Sequence, residues 1–369
     1  MPWPNRRLTD VLNIELPIVQ APMAGANDAE MAIAVSRAGG LGSLPCALLN
    51  SGQIREEVRR FRTSVTSDTA GKRPINLNFF CHPPPETDPE QETRWLDAIA
   101  PYFAELNVPP PEKTPPGRQP FDENLCALVE DVTPAVVSFH FGLPAAALMD
   151  RVKCTGARVL SSATTVAEAC WLEARGCDAI IAQGAEAGGH RGLFLGDDIA
   201  TQPGTFALVP QVADAVNVPV IAAGGVTDGR GIAAAFALGA SGVQIGTAYL
   251  FSPEARISEL HRKALGQARD DRTALTNLFS GRPARSLINR LMQEVGPMSA
   301  DVPPFPTAGA ALTPLKARAE AMGSSSFSSL WSGQSARLGQ PLGAEELTHR
   351  LAEAALVQCE RLSGPGGTD

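Results

Sequence analysis

With 369 residues, 44% apolar and 19% charged, the chain is long and apolar enough for a large folded α/β core, which excludes wholesale disorder. A net charge of −8 with no basic block argues against a nucleic-acid partner. No apolar stretch is long enough to span a bilayer and the N-terminal residues lack a signal-peptide core, so a cytoplasmic protein without a membrane partner is expected.

In chain order, a first apolar run at 17–25 is followed by an Ala-rich helix at 28–38. A second run at 40–44 leads to a helix at 51–62, with Ser51 as its expected N-cap. Further strand-type runs follow at 74–80, 135–141, 158–161, 178–182, 219–224 and 241–246, most of them succeeded by helical periodicity. Eight near-continuous apolar strands alternating with helices predict a (β/α)8 TIM barrel rather than an open sheet. The first strand carries no Gly-x-Gly-x-x-Gly and the chain no Walker A motif, so the usual open-sheet nucleotide sites are missing.

Two segments break this rhythm. Residues 82–122 are rich in proline around one helical stretch, 92–106, and read as an insertion after the third strand. Residues 255–335, broken by Pro303-Pro-Phe-Pro306, read as a helical lid inserted after the eighth strand. The expected division is a barrel over 1–254, that lid, and a closing segment 336–369, whose helix at 344–362 packs on the barrel ahead of a flexible tail. Seven scattered cysteines form neither a disulfide framework nor a zinc pattern, so no metal is expected. Cys46 and Cys81 end strand runs and are read as packing thiols that could approach a pocket.

The chemistry of such a barrel lies at the C-terminal ends of its strands, with phosphate held by the loops after strands seven and eight. Gly224-Gly225 and Gly246-Thr247 stand at those two places, where small residues let backbone N–H groups approach an anion. The helix expected at 231–238 would add its dipole. After the sixth strand, Gln183-Gly-Ala-Glu-Ala-Gly-Gly-His190 breaks an apolar run with glycines and ends on a histidine. That pattern suggests backbone opened for a ligand, with His190 at its rim.

Four motifs carry a resemblance: Gln20-Ala-Pro-Met-Ala-Gly25, Ala185-Glu-Ala-Gly-Gly-His190, Ala222-Ala-Gly-Gly-Val226 and Gln244-Ile-Gly-Thr-Ala248. Over about 17–251 the chain resembles the nitronate monooxygenases, formerly called 2-nitropropane dioxygenases, and is similar to their class I members. The resemblance implies non-covalent FMN, with Ala21, Pro22 and Met23 behind the flavin ring and Asn78, or else Asn76, at its edge. Gln183 would face the ring or ribityl chain, Gly188 would let the cofactor approach, and Gly224, Gly225, Gln244, Gly246 and Thr247 match the phosphate-binding segments. For Gln183, Gln244 and Asn78, polar capping of strand ends is the alternative.

His190 matches the histidine beside the substrate, and a neutral imidazole suits removal of a nitroalkane α-proton. With nitronate as substrate the same ring can hydrogen-bond the nitro oxygens. His140, in Ser138-Phe-His-Phe-Gly142, either faces the same pocket or is a buried histidine satisfied by backbone. Trp331, in Ser328-Ser-Leu-Trp-Ser-Gly-Gln334, either walls the substrate cavity or packs the lid. Arg191 reads as a solvated surface residue, with a phosphate or substrate contact as the alternative, and His82, His261 and His349 receive no role. Some relatives place tyrosines and a lysine in the lid; the only tyrosines here are Tyr102 and Tyr249, so that arrangement is not expected.

The activity implied is O2-dependent oxidation of small alkyl nitronates, propionate 3-nitronate among them, to carbonyl compounds and nitrite through a flavosemiquinone. The competing readings are an NAD(P)H-dependent FMN reductase of quinones or enoyl thioesters, and a non-catalytic flavin-binding barrel. Oligomeric state is open.

Overall fold

The structure, a computed structural model, describes residues 2–66, 73–86, 88–111 and 120–363. Eight parallel strands build its centre: β1 (Ile18–Gln20), β2 (Gly42–Pro45), β3 (Ile75–Phe80), β4 (Val136–His140), β5 (Arg158–Ala163), β6 (Ala179–Gln183), β7 (Val220–Ala223) and β8 (Gly242–Ile245). Each strand from β2 to β8 pairs with its successor, and β8 returns to β1 with Ile18 opposite Val243. The last seam closes at Val19 and Leu41, where Leu41 N donates to Ile18 O at 2.9 Å and Gln20 N to Leu41 O at 2.9 Å. The chain is a closed (β/α)8 barrel, as the alternating runs predict.

The strands are apolar on both faces because both faces are buried. Along β6, Ala179 and Ile181 join Val19, Leu41, Val136, Leu160 and Ile221 inside the barrel, whereas Ile180 and Ala182 join the larger core beneath the helices. Burying each such branched side chain contributes about 1.5–3 kcal/mol. Helix Arg7–Leu12 closes the N-terminal end, its Leu8 and Leu12 packing into the interior cluster.

Helix Ala344–Ser363 packs between helices Gly229–Ala237 and Ala29–Arg37, and so fills the eighth helical position of the barrel. The approach is close: a Cβ on Gly229 would lie 2.6 Å from that of Ala354. The tail expected beyond this helix lies outside the described residues. Helix Ser51–Thr66 is capped by Asn50 rather than by Ser51. Asn50 Oδ1 accepts from Gln53 N and Gln53 Oε1 from Asn50 N, both at 2.9 Å, a reciprocal box that Ser51 is one residue too late to make.

The two irregular segments meet as one cap over the C-terminal ends of the strands. Helix Pro89–Leu106 begins earlier than the periodicity implies, because Asp88 accepts from Glu90 N and Gln91 N and Pro89 suits the first turn. It packs on helix Ala308–Ala321, and Trp95, Ile99, Phe103, Leu312, Leu315 and Phe327 form their shared core. The segment after β8 is not helical throughout. Strands Thr273–Thr276 and Ala284–Leu287 form an antiparallel hairpin, and a third short strand joins it: Gly189–His190, from the barrel loop after β6. Runs of four residues are too short for a period to show in sequence, and the third strand is recruited only by tertiary pairing.

Candidate active site

Beneath the cap lies a cavity of about 460 Å³, in the range of sites that hold a cofactor or a small substrate. It is walled by Ala21, Pro22 and Met23 after β1, Asn78 on β3, His140 on β4 and Gln183 on β6. Gly188 and His190, Gly224 and Gly225, and Gln244, Gly246 and Thr247 continue the wall, and Trp331 descends from the cap. Every residue that the motifs single out therefore meets in one place. Of the two candidate asparagines only Asn78 lines the cavity; its Nδ2 donates to Ser138 Oγ at 3.0 Å. Asn76 lies two residues deeper and donates to Ser43 Oγ at 3.0 Å inside the barrel.

His190 stands in an aromatic enclosure. Its ring centroid lies 5.4 Å from those of Phe305 and Trp331, 5.9 Å from Phe141 and 6.3 Å from Phe80. Its Nε2 is 2.9 Å from Ser280 Oγ, and its carbonyl accepts from Gln183 Nε2 at 2.9 Å. Gln183 Oε1 in turn accepts from Gly192 N at 2.7 Å, so one amide spans the excursion between β6 and the histidine. The Gln183 side chain lines the cavity chiefly as the brace of the loop that carries His190.

His140 Nδ1 sits 2.9 Å from Ser162 Oγ, and its ring packs 4.4 Å from Phe141. Burial, reinforced by the Arg282 and Arg191 guanidiniums, pushes its pKa down to about 3, a hydrogen bond to the His190 backbone opposing them in part. The ring is therefore neutral at ordinary pH, so it acts as a hydrogen-bonding group and not as a proton store.

The glycine-lined end differs from expectation in one respect. Helix Gly229–Ala237 has its N-terminus occupied, since the Asp228 carboxylate accepts from Arg230 N at 3.0 Å and Gly231 N at 3.3 Å. The available helix end is that of the 3-10 helix Thr247–Phe251, whose N-cap is Gly246 and which no side chain caps. Gly224 and Gly225, at φ of +114° and +71°, turn the backbone of the neighbouring strand end beside it. Gly188 has a different use from the one its motif suggests: a Cβ there would fall 2.6 Å from Gly333 N and 2.7 Å from the carbonyl carbon of Ser332. Its smallness admits the cap's returning segment, residues 332–333.

Arg191 contradicts the solvated reading and does not line the cavity. It is 0% exposed, with its guanidinium donating to the carbonyls of Gln183 and Gly184 and, at 3.0 Å, to Gln202 Oε1. It secures the loop from behind. Cys46 and Cys81 do not line the cavity either, and burial holds both thiols far above their ordinary pKa. His82 is buried edge-on against Phe305 at 4.8 Å, outside the cavity wall. Among the described residues no group of three potential metal ligands converges, and no helix is long and apolar enough to cross a membrane.

Sequence reasoning missed the cap's contribution. Lys316, Glu320, Ser328 and His261 all line the cavity, and His261 Nε2 lies 3.1 Å from the Trp331 carbonyl. Lys316, on helix Ala308–Ala321, supplies a lid lysine where none was expected, although Tyr102 and Tyr249 stay outside the cavity. Trp331 does both things proposed for it, facing the cavity while packing on the cap core. Helical spacing at 312, 316 and 320 was the available signal for the lysine and the glutamate.

The residues fit a phosphorylated, ring-bearing cofactor. Gln244 Oε1 is buried in the wall without a hydrogen-bond partner, an orphan that a bound group could satisfy. The uncapped helix end and adjacent glycines suit an anion. A barrel with such a site at the C-terminal ends of its strands defines a cofactor-binding (β/α)8 scaffold of the kind enzymes use.

The comparisons narrow the class. The nitronate monooxygenase family profile matches residues 5–354. The chain is 42% identical to a nitronate monooxygenase of Paraburkholderia phytofirmans over 97% of both chains. It is 43% identical to one of Pseudomonas aeruginosa, covering 94% of this chain and 98% of that one. Among solved structures it is similar to nitroalkane oxidase from Streptomyces ansochromogenes, with a TM-score of 0.86, 36% identity and coverage of 97% and 99%. FabK from Thermotoga maritima follows at a TM-score of 0.74 and 28% identity over 98% and 99%. The chain belongs to the nitronate monooxygenase family, whose members are flavin-dependent oxidoreductases.

Proposed function

We propose that this protein binds FMN and oxidises small alkyl nitronates with O2 to carbonyl compounds and nitrite. The observation that carries this reading is His190, held in an aromatic pocket that is continuous with a glycine-lined anion site. Gly224, Gly225, Gly246 and Thr247 would hold the phosphate, and Ala21, Pro22, Met23, Asn78 and Gln244 the ring system. When bound, the flavin supplies the electron acceptor and the means of reducing O2. His190 removes the α-proton of a nitroalkane, or hydrogen-bonds the nitro oxygens when the substrate arrives as a nitronate. Neutral His140 adds a hydrogen-bonding group beside it. Phe80 and Trp331, which line the cavity, would keep water from the reacting carbon and favour a small substrate, while Phe141 and Phe305 back the His190 ring.

The test is spectroscopic. Purified protein should carry FMN, and anaerobic addition of propionate 3-nitronate should change the flavin spectrum, with nitrite formed once air is admitted. Rapid bleaching by NADH with no response to nitronate would select the reductase reading. His190→Asn should keep FMN yet lose about a hundredfold or more in nitroethane turnover. Normal deprotonation of nitroethane by that variant would remove His190 from the role of base.

A further inference from the structure

Beside Phe305 and Trp331, the cap reaches His190 through residues 280–283, the second half of the loop that joins the strands of its hairpin. Ser280 Oγ lies 2.9 Å from His190 Nε2, and Pro283 O accepts from Arg191 N at 2.9 Å. Arg282 donates to the Leu193 carbonyl, and its guanidinium carbon lies 4.2 Å over the Phe141 ring. Immediately after the loop, Ala284 pairs with His190 in the small sheet. Four of the five residues 280–284 thus hold His190, Arg191 and Leu193 from the cap side.

The loop is itself fixed. Gly281 has φ +89°, and a Cβ there would fall 2.4 Å from Pro303 O and 2.5 Å from Phe305 N. The loop therefore packs directly on the Pro303-Pro-Phe-Pro306 segment, which also places Phe305 against the His190 ring at 5.4 Å. Ser280 is buried, and its hydroxyl points to Arg282 O at 3.3 Å. A hydroxyl whose proton is turned to a carbonyl presents its lone pairs to the imidazole. Turned that way, and already accepting from Arg282 N at 3.4 Å, it would accept Nε2–H from the imidazole and leave Nδ1 as the basic nitrogen.

We propose that Ser280 and Arg282 are positioning residues for His190: the loop fixes where the ring stands, and Ser280 fixes the proton on Nε2. The inference rests on the reading of His190 as the group that addresses the substrate. Neither residue lines the cavity, so their action passes through the histidine. The groups around the His190 ring include Ser280, Phe80, Phe141, Phe305 and Trp331, with His140 hydrogen-bonded to its backbone and Arg282 beyond Phe141.

The full-length protein labelled with ¹⁵N only in histidine, of which the chain has 5, allows the tautomer to be read directly. His190→Asn identifies the His190 signals. Wild-type protein should show His190 as the Nε2–H tautomer above its titration, Ser280→Ala a mixture of tautomers, and Ser280→Thr the wild-type pattern. Turnover of nitroethane, which requires removal of the α-proton, should fall about tenfold or more in Ser280→Ala at unchanged flavin content, and recover in Ser280→Thr. A wild-type Nδ1–H tautomer, or a Ser280→Ala spectrum and turnover equal to wild type, overturns the proposal. If His190→Asn leaves turnover intact, the role of His190 fails, but the tautomer pattern still decides what Ser280 does. Should Ser280→Ala not fold, the wild-type spectrum alone remains decisive.

Discussion

His140 shows how a side chain can be fitted for chemistry by being kept from titrating. Its pKa lies near 3 in the folded protein because burial and two guanidiniums disfavour the charged ring, against about 6.5 in the unfolded chain. Between those values the unfolded chain takes up a proton that the native site refuses. Stability is therefore complete above pH 6.5 and falls on acidification, by at most about 1.4 kcal/mol per pH unit from this group. Urea midpoints at pH 7 and pH 5 should differ less in His140→Gln than in wild type. Part of the dependence will remain, because burial also lowers His261 to about 4. A His140→Gln protein with undiminished acid sensitivity would show that this ring is protonated in the native state.

At the scale of elements, the loop after β6 joins barrel and cap, and Gly188 is where the backbone of residues 332–333 presses closely on it. Gly188→Ala should cost about 1–3 kcal/mol, since the clash is with backbone at 2.6 Å and no side chain can swing away. Thermal denaturation measures it directly; an unchanged midpoint would mean that the Ser332–Gly333 segment yields freely. This same loop marks how far the sequence could be read. Eight apolar runs with their helices made the barrel legible, because each strand is buried on both faces and says so in its own residues. The glycine pairs and His190 were legible as a site because barrel strands all end on one rim. Arg191 was misread because its partners are backbone carbonyls of its own loop, which leave no trace in side-chain pattern. Ser280 and Lys316 were missed for a related reason: a cap assembled from two distant insertions brings its residues to the cavity only after folding.

For the molecule as a whole, the chain follows the barrel in order but interrupts it before the last helix. The last strand is laid down by residue 245, but the helix that seals its flank arrives only at 344–363. Truncation after Gly343 should leave the faces of helices Ala29–Arg37 and Gly229–Ala237 uncovered and give aggregated or unfolded protein, checked by circular dichroism and gel filtration. A truncated chain that stayed monomeric with a cooperative melt would show the eight strands and seven helices to be sufficient. Residues 255–335 of the cap are thus threaded between the final strand and its covering helix.

The segment that returns from the cap to that helix has a consequence for how a flavin is kept. Gly333 N donates to Thr247 Oγ1 at 2.9 Å, Gln334 N donates to Glu186 O at 3.0 Å, and the Ser335 hydroxyl bonds that of Thr227. Residues 333–335 therefore run like a bar across the glycine-lined end of the cavity and are fastened on both sides of it. A cofactor seated there would have this bar across that end of its site, and opening of these bonds would then limit its escape alongside the strength of its phosphate contacts, so that loose equilibrium binding and slow escape are compatible in this fold.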